Sequence, residues 1–366
     1  MIDGIFMKRL MWVVSKIIAL VLCSGTIAFG QAAVPFITIS PDSRANGMGE
    51  VGTGLADNIY ATHWNVGGLA FQMPETTKQL NRKVGLAYAK WLPQFNADLF
   101  YAHAAYGQYV PSLEGTINAN FMLMNLGEFK RTDFSGKVLN TFRSFEFALG
   151  FGYGTLIADD IGAGFQLKYI QSNLGAPVNA QGSGTGDGIG RSVAFDLGML
   201  WRPTNLDLFG WDIGDKFGLG FNLANIGPKV TYLNVSDPLP TTLRLGTSLK
   251  VLEDEFNELT LAVDIAKLLV RRDSLVNDPI PKSFITAWEV GGIESSFGME
   301  YWYEKVVALR AGYFTEPASV GNRRFFTIGT GIRYDVFNMD FSFIIPTEEN
   351  HPLGNTMRFS LIGNIP

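Results

Sequence analysis

Apolar and polar residues alternate along most of the chain, from about Lys83 to its end. The stretch 145–153 shows the pattern, because Phe, Leu and Tyr occupy the odd positions and Glu, Ala and Gly occupy the even ones. Strict alternation predicts a strand with two different faces. One face is apolar and aromatic, whereas the other carries charge and cannot be a dry core. An apolar outside and a polar inside are typical of a transmembrane β-barrel.

The alternating stretches predict an all-β fold, an antiparallel transmembrane barrel of 14 strands. An even number of strands is the rule in bacterial single-chain barrels. The predicted strands are 83–91, 97–106, 114–125, 142–155, 161–172, 191–202, 216–225, 241–251, 257–268, 294–304, 306–315, 323–335, 337–345 and 355–364.

The connections between these strands alternate in length. Long connections, 126–141, 173–190, 226–240 and 269–293, follow odd-numbered strands, and tight turns follow most even-numbered ones. The connection 203–215 is an exception. Outer-membrane barrels have short periplasmic turns and long outer loops. The pattern therefore predicts a multi-pass barrel in the cell outer membrane, with both termini in the periplasm.

The inward-facing positions of the predicted strands carry charges of both signs in equal number. Such a balanced set indicates a cross-linked or plugged interior, since an open ion-selective pore favours one sign. The predicted lumen charges are Glu146, Asp196, Asp264, Glu300 and Asp340 against Lys168, Arg244, Arg310, Arg333 and Arg358.

Residues 1–32 have the pattern of a secretory signal peptide. Lys8 and Arg9 precede an apolar run, and Gly30-Gln31-Ala32 forms a small-x-small cleavage site. Cleavage there removes three cations and one carboxylate, so the net charge falls from -5 to -7. It also removes the sole cysteine, which excludes disulfide chemistry in the mature chain. An acidic chain without a basic run is not expected to bind nucleic acid.

Residues 33–82 do not alternate, and we expect this plug segment to pack in or near the lumen of the barrel, 83–366. Asp42 is a plausible helix N-cap, and the glycines allow close packing against a wall. Residues 47–52 match the dinucleotide pattern G-x-G-x-x-G. That pattern requires a preceding strand and a βαβ unit, neither of which is predicted here.

The plug segment carries a family resemblance through its elements Ser40-Pro41-Asp42-Ser43-Arg44-Ala45, Gly47-Met48-Gly49-Glu50 and Trp64-Asn65. Later elements extend it, among them Trp91-Leu92-Pro93-Gln94-Phe95-Asn96, Asn225-Ile226-Gly227-Pro228 and Leu309-Arg310-Ala311-Gly312-Tyr313. Together they resemble the PorV/PorQ family of FadL-like outer-membrane proteins, most closely its PorV members. The plug motif that carries the resemblance is Ser43, Arg44, Gly47, Met48, Gly49, Trp64, Asn65 and Gly68.

The resemblance implies a FadL-like barrel that takes part in type IX secretion. Its partners would be cargo proteins with a C-terminal signal domain, a translocon barrel and an attachment complex with a sortase-like component. The resemblance implies no cofactor and no enzymatic activity. A FadL-like channel for small hydrophobic molecules is the alternative function.

The residues themselves give little support for catalysis or metal binding. The chain has three histidines, His63, His103 and His351, without metal-ligand spacing or cysteine neighbours. A lipid hydrolase built on one of them is a weaker third hypothesis.

Two long connections are the predicted interaction surfaces. The connection 173–190 is glycine-rich and flexible, and 269–293 exposes apolar residues where we expect a partner to bind. Two neighbouring arginines could contact outer-membrane lipid and lipopolysaccharide phosphates. The predicted partner-binding residues are Pro279, Ile280, Phe284, Trp288, Arg271 and Arg272.

Overall fold

The chain closes into a barrel in which every strand is antiparallel to both neighbours, and the last strand pairs with the first. This computed structural model describes residues 32–73, 81–95, 98–132, 135–175, 188–208, 210–232, 235–271, 278–289, 291–318, 321–348 and 351–365. The barrel strands are β1 Arg82–Lys90, β2 Phe100–Val110, β3 Gly115–Thr132, β4 Val138–Ala158, β5 Ile161–Asn173, β6 Ile189–Trp201, β7 Phe217–Ile226, β8 Thr242–Glu253, β9 Asn257–Leu268, β10 Glu294–Tyr303, β11 Val307–Thr315, β12 Arg324–Tyr334, β13 Phe337–Pro346 and β14 Met357–Ile365. The predicted 14-stranded barrel is confirmed.

The apolar and polar residues that alternate in the sequence lie alternately on the outer surface and on the inside of the barrel. On β4, Phe151 is 62% exposed on the outer surface, whereas Ala148 is buried on the inside. Stacked rings continue the apolar outer face from strand to strand, as for Phe165 on β5 and Phe195 on β6 at 6.1 Å between centroids. An apolar outside is what a barrel in lipid requires.

The hairpin of β3 and β4 is longer than its sequence predicts. The expected loop 126–141 is wrong over most of its length, because β3 continues to Thr132 and β4 begins at Val138. A register shift at Gly127, where φ is +83°, is followed by further pairing that stacks Phe129 on Phe142 at 5.8 Å. Charged residues at 128, 130 and 131 hide this alternation in the sequence.

Two smaller hairpins lie in other connections. Asp207–Leu208 pairs with Trp211–Asp212 inside the exceptional connection 203–215. Val230–Tyr232 pairs with Val235–Asp237 between β7 and β8. We call the end of the barrel with the longer connections the long-loop end, and the opposite end the short-turn end.

The helices are all short, and half of them lie in the plug segment. These are a 3-10 helix Pro35–Thr38, α1 Ser43–Gly47, α2 Ala61–Trp64 and a 3-10 helix Val66–Phe71. Elsewhere the 3-10 helices Pro93–Phe95, Pro111–Leu113 and Ala287–Glu289 and α3 Ser283–Thr286 lie in connections. Within the described ranges, no helix has the length and hydropathy to cross a membrane. The predicted signal peptide lies outside the described residues except for residue 32.

Candidate functional site

The plug segment runs lengthwise through the lumen. At the long-loop end, the backbone N–H of Ala33 donates to the carbonyl of Pro238 at 2.8 Å. Phe36 and Ile37 are buried there in an apolar cluster with inward-facing wall residues. At the short-turn end, Asn81, directly before β1, donates to the carbonyl of Gln72 at 2.9 Å. The segment therefore fills the lumen between the two ends.

Glycines on both sides let the plug segment approach the wall closely. A Cβ on Gly47 would lie 3.0 Å from Cα of Gly329 on β12, and a Cβ on Gly312 of β11 would lie 2.1 Å from the backbone of Met48 and Gly49. Gly49 also has a φ of +75°, which favours glycine. At these glycines the plug backbone thus lies directly on the strand backbone, with no room for a side chain between them.

Glu300 on β10 joins the plug segment to the wall. Arg44 donates from Nε and Nη2 to its two carboxylate oxygens at 2.8 and 2.7 Å. Arg310 on β11 donates from Nε to the same carboxylate at 2.6 Å. Arg44 also pairs with Asp57 of the plug segment at 2.5 Å, and Arg310 lies 2.8 Å from Asp340 on β13. Both Glu300 and Arg310 are buried.

Several other predicted lumen charges bind the plug segment rather than one another. Asp264 accepts hydrogen bonds from the backbone N–H groups of Gly52 and Thr53 at 2.9 and 2.8 Å. Arg358 pairs with Glu50 at 3.1 Å. The guanidinium of Arg244 lies 5.1 Å from the Trp64 ring. The wall charges thus act largely as a lining for the plug.

The remaining predicted lumen charges differ in their partners. Lys168 and Asp196 form a buried pair at 2.7 Å. Arg333 lies 4.5 Å from the ring of Trp302. Glu146 is buried without a cationic partner among the residues that the structure describes.

The second half of the plug motif is also buried. Trp64 packs on Gly52, where a Cβ would lie 2.4 Å from the ring. Asn65 donates to the carbonyls of Thr53 at 3.0 Å and Met199 at 2.8 Å, which ties the segment to β6. Gly68 lies against the backbone of Ala56, with no space for a side chain. Ser43, at the start of α1, donates from its backbone N–H to Ser360 at 3.2 Å.

Sequence reasoning missed three plug and wall residues that this arrangement uses. Glu50 and Asp57 supply carboxylates from within the plug segment. Thr327 on β12 donates to the carbonyl of Gly47 at 3.0 Å and accepts from Gly49 at 2.8 Å. The stretch Ala56-Asp57-Asn58, which is also part of the family resemblance, could have marked Asp57, but an inward threonine gives no sequence signal.

An apolar cavity of about 380 Å³ lies at the long-loop end. Its walls come from the ends of β7 and β9 and from their connections, and include Leu239, Leu269, Pro279 and Ile280. At the edge of the cavity, Asp278 is contacted by Lys282 and by Thr286, each at 2.8 Å. These hydrogen bonds lower the pKa of the Asp278 carboxyl. The site is therefore mostly apolar with a charged rim.

The segment 283–289 beside this cavity presents apolar side chains outward. Ile285 is 77% exposed, Trp288 is 55% exposed, and Phe284 is half-buried. Arg271 pairs with Glu289 at 2.5 Å. Arg272 and most of the connection 173–190 lie outside the described residues. The surface has the aromatic and aliphatic character of many protein interfaces.

The three histidines belong to different elements, the plug segment, β2 and the connection before β14. Nδ1 of His351 accepts from the backbone N–H of Leu353 at 3.1 Å, and burial lowers the pKa of His351. In the part of the chain that the structure describes, no group of three or more His, Cys, Asp or Glu side chains could hold a metal ion.

Solved barrels of hydrocarbon channels have a similar fold. The TodX monoaromatic hydrocarbon channel deltaS2 mutant is 15% identical, with 90% of this chain and 97% of that chain covered and a TM-score of 0.53. The CymD monoaromatic hydrocarbon channel is 11% identical, with coverages of 91% and 99% and a TM-score of 0.53. TodX, the toluene transporter of P. putida, is 11% identical, with coverages of 87% and 95% and a TM-score of 0.50. At these identities the similarity shows the fold alone.

One family model matches the sequence over residues 27–274, and its description is "Type IX secretion system protein PorV". The match includes the whole plug segment and the strands β1–β9. No curated relative matches the chain.

Proposed function

Because this chain belongs to the PorV family of type IX secretion system proteins, we propose that it binds secreted cargo proteins that carry a C-terminal signal domain. It receives the cargo from the translocon barrel and passes it to the surface attachment complex, which contains a sortase-like component. This role is one of binding and transfer, without a catalytic step by this chain.

The observation that carries the proposal is the filled lumen. The plug segment occupies it from one end to the other and is held by buried ion pairs such as Arg44 with Glu300 at 2.7 Å. A folded cargo cannot pass through such a barrel. The activity therefore belongs to the surface, where the long-loop end offers the larger connections and the exposed residues Ile285 and Trp288.

The orientation follows from the lengths of the connections. Outer-membrane barrels place short turns in the periplasm and long loops outside. We therefore assign the long-loop end to the cell surface and the C-terminus to the periplasm, and the plug segment then begins, at Ala33, on the cell-surface side of the lumen. This places the segment 283–289 where exported cargo and the attachment complex are found.

The test is a pair of loop substitutions. Phe284→Ala combined with Trp288→Ala should reduce surface display of a signal-domain cargo at least several-fold, because large aromatic anchors supply much of the energy of an interface. The control is Leu113→Ala with Phe256→Ala, which removes two exposed apolar side chains at the short-turn end. Heat-modifiable mobility on a denaturing gel first confirms that each barrel has folded. Display is then measured on whole cells.

A variant without the three histidines distinguishes cargo binding from a catalytic role. Replacing His63, His103 and His351 together by Gln should leave display largely intact. If the histidine variant abolishes display while the loop variant is normal, and both barrels reach the membrane, the binding proposal is wrong and a catalytic role must be reopened.

A channel for small hydrophobic molecules is the second candidate function, and the apolar cavity of about 380 Å³ favours it. Cavities of this size bind small ligands in many proteins. Ile280→Asp would place a charge in the cavity and should reduce uptake of a monoaromatic hydrocarbon if the barrel is such a channel. Normal uptake with this variant would count against the channel.

A further inference from the structure

Two arginines share one indole ring near the short-turn end of the lumen. The guanidinium carbons of Arg310 on β11 and Arg333 on β12 lie 5.4 and 4.5 Å from the centre of the Trp302 ring on β10. The ring face attracts each cation, but the two cations repel each other. An anion between them would remove that repulsion.

A cavity of about 200 Å³ lies beside these groups. Five cationic side chains line it against three carboxylates, Asp57, Glu258 and Asp340. Each carboxylate already has a cation, since Asp57 pairs with Arg44, Asp340 with Arg310 and Glu258 with Lys250. The cations are Arg44, Lys83, Lys305, Arg310 and Arg333.

Three of these cations, Lys83, Lys305 and Arg333, contact no carboxylate among the described residues. They come from β1, the turn between β10 and β11, and β12, and all three line this cavity. Glu300 does not line the cavity but is shared by Arg44 and Arg310, so five cations stand against four carboxylates and an excess of one positive charge remains. This excess favours an anionic occupant.

Arg310 also has unused hydrogen-bond donors at the cavity. Its side chain is 4% exposed, and its Nε donates to Glu300. Nη1 lies 2.8 Å from the carboxylate of Asp340, whereas the N–H groups of Nη2 have no acceptor among the described residues. Buried donors are rarely left unpaired. The cavity contents must therefore supply acceptors.

The cavity also contains an unused acceptor. The side-chain oxygen of Asn338 is buried and receives no donor from the described residues. A monohydrogen phosphate has several acceptor oxygens for the arginines and one hydroxyl that can donate to Asn338. Sulfate and chloride have no such donor at neutral pH.

We propose that this cavity binds a phosphate group at the short-turn end of the lumen. The bound group accepts from Arg310 and Arg333, donates to Asn338 and is neutralised further by Lys83 and Lys305. It enters from the periplasm, either as monohydrogen phosphate or as a small phosphate monoester in its singly charged form, since the doubly charged ester has no hydroxyl on phosphorus to donate. The proposal is independent of cargo binding, which takes place at the other end of the barrel.

The test is calorimetric titration of the purified full-length barrel in detergent at constant ionic strength. Inorganic phosphate and glycerol 1-phosphate are the probes, and they distinguish the free ion from an ester. We expect saturable binding of one equivalent of at least one of them, with sulfate binding at least ten-fold more weakly. If sulfate binds as tightly as phosphate, or no probe binds saturably, the proposal is overturned.

Matched variants locate the binding. Arg333→Gln with Lys305→Gln should weaken phosphate binding at least ten-fold, and both side chains are exposed, so the barrel should still fold. Lys90→Gln with Arg324→Gln removes the same charge from exposed positions at the long-loop end and should bind as the wild type does. Equal binding by the two double variants would overturn the proposal. Should the first double variant fail to fold, Lys305→Gln alone is expected to weaken phosphate binding. Unchanged binding by that single variant would overturn the proposal.

Discussion

The carboxylate of Glu300 depends on two arginines that are far apart in the sequence. Arg44 comes from the plug segment and Arg310 from the neighbouring strand, and both lie within 2.8 Å of its oxygens. All three groups are largely buried, so the Coulombic attraction between them offsets a large desolvation cost. Removing the carboxylate takes away the counterion that the two guanidinium groups share and leaves Arg44 with Asp57 and Arg310 with Asp340.

Glu300→Gln should therefore destabilise the folded barrel by about 3–5 kcal/mol, the usual effect of breaking a buried ion pair. The measurement is thermal unfolding in detergent, monitored by heat-modifiable gel mobility and by circular dichroism. Arg143→Gln is the control, because the pair of Arg143 with Glu128 at 3.9 Å is 82% exposed on the arginine side. A surface pair of that kind contributes about 0–1 kcal/mol. Equal losses of stability in the two variants would show that the contacts of Glu300 do not stabilise the barrel as expected.

The plug segment and the barrel wall are two kinds of element, and the sequence predicts them unequally well. Alternation with period two identifies the strands and the inward face, so Glu300, Arg310 and Asp264 could be predicted to point into the lumen. The partners could not be predicted, because they lie in a segment without a period, and Arg44 and Glu300 are 256 residues apart. The long hairpin of β3 and β4 was missed for a related reason, since outside the membrane both of its faces tolerate charge.

The close contact between plug and wall predicts the effect of a larger side chain. Gly312→Val should prevent the plug segment from seating, because even a Cβ at this position would lie 2.1 Å from the plug backbone. Planar-bilayer recordings should then show steady currents, whereas the wild type conducts poorly. Ala311→Val, whose side chain points the other way on the same strand, is the control. Large currents from the wild type, or none from a folded Gly312→Val barrel, would contradict this prediction.

The whole molecule has two unlike ends, and this asymmetry is the basis of the proposed orientation. Sequence alone predicts it from the lengths of the connections, because outer-membrane barrels have short periplasmic turns and longer outer loops. The cavity at the long-loop end could not be predicted in the same way. Its walls, such as Leu239 and Ile280, come from separate connections that no local pattern brings together.

The orientation can be measured with single cysteines, since the sole cysteine of the chain, Cys23, lies in the predicted signal peptide. Ile285→Cys at the long-loop end should react with a membrane-impermeant maleimide on intact cells. Leu113→Cys at the short-turn end is 53% exposed and should react only after the outer membrane is opened. The unmodified protein is the blank. Labelling of Leu113→Cys alone on intact cells would reverse the proposed orientation.

The plug segment's lengthwise course through the lumen also constrains the order of assembly. Its first described residues lie at one end of the lumen and its last lie at the other, where the chain enters β1. Threading this stretch into a finished cylinder would require the glycine contacts and buried ion pairs to form inside a wall that is already closed. We therefore expect the seam between β1 and β14 to close last, with the wall wrapping around a plug segment that is already in place. The machinery that inserts this barrel into the membrane would have to receive a chain whose interior is built before its exterior is complete.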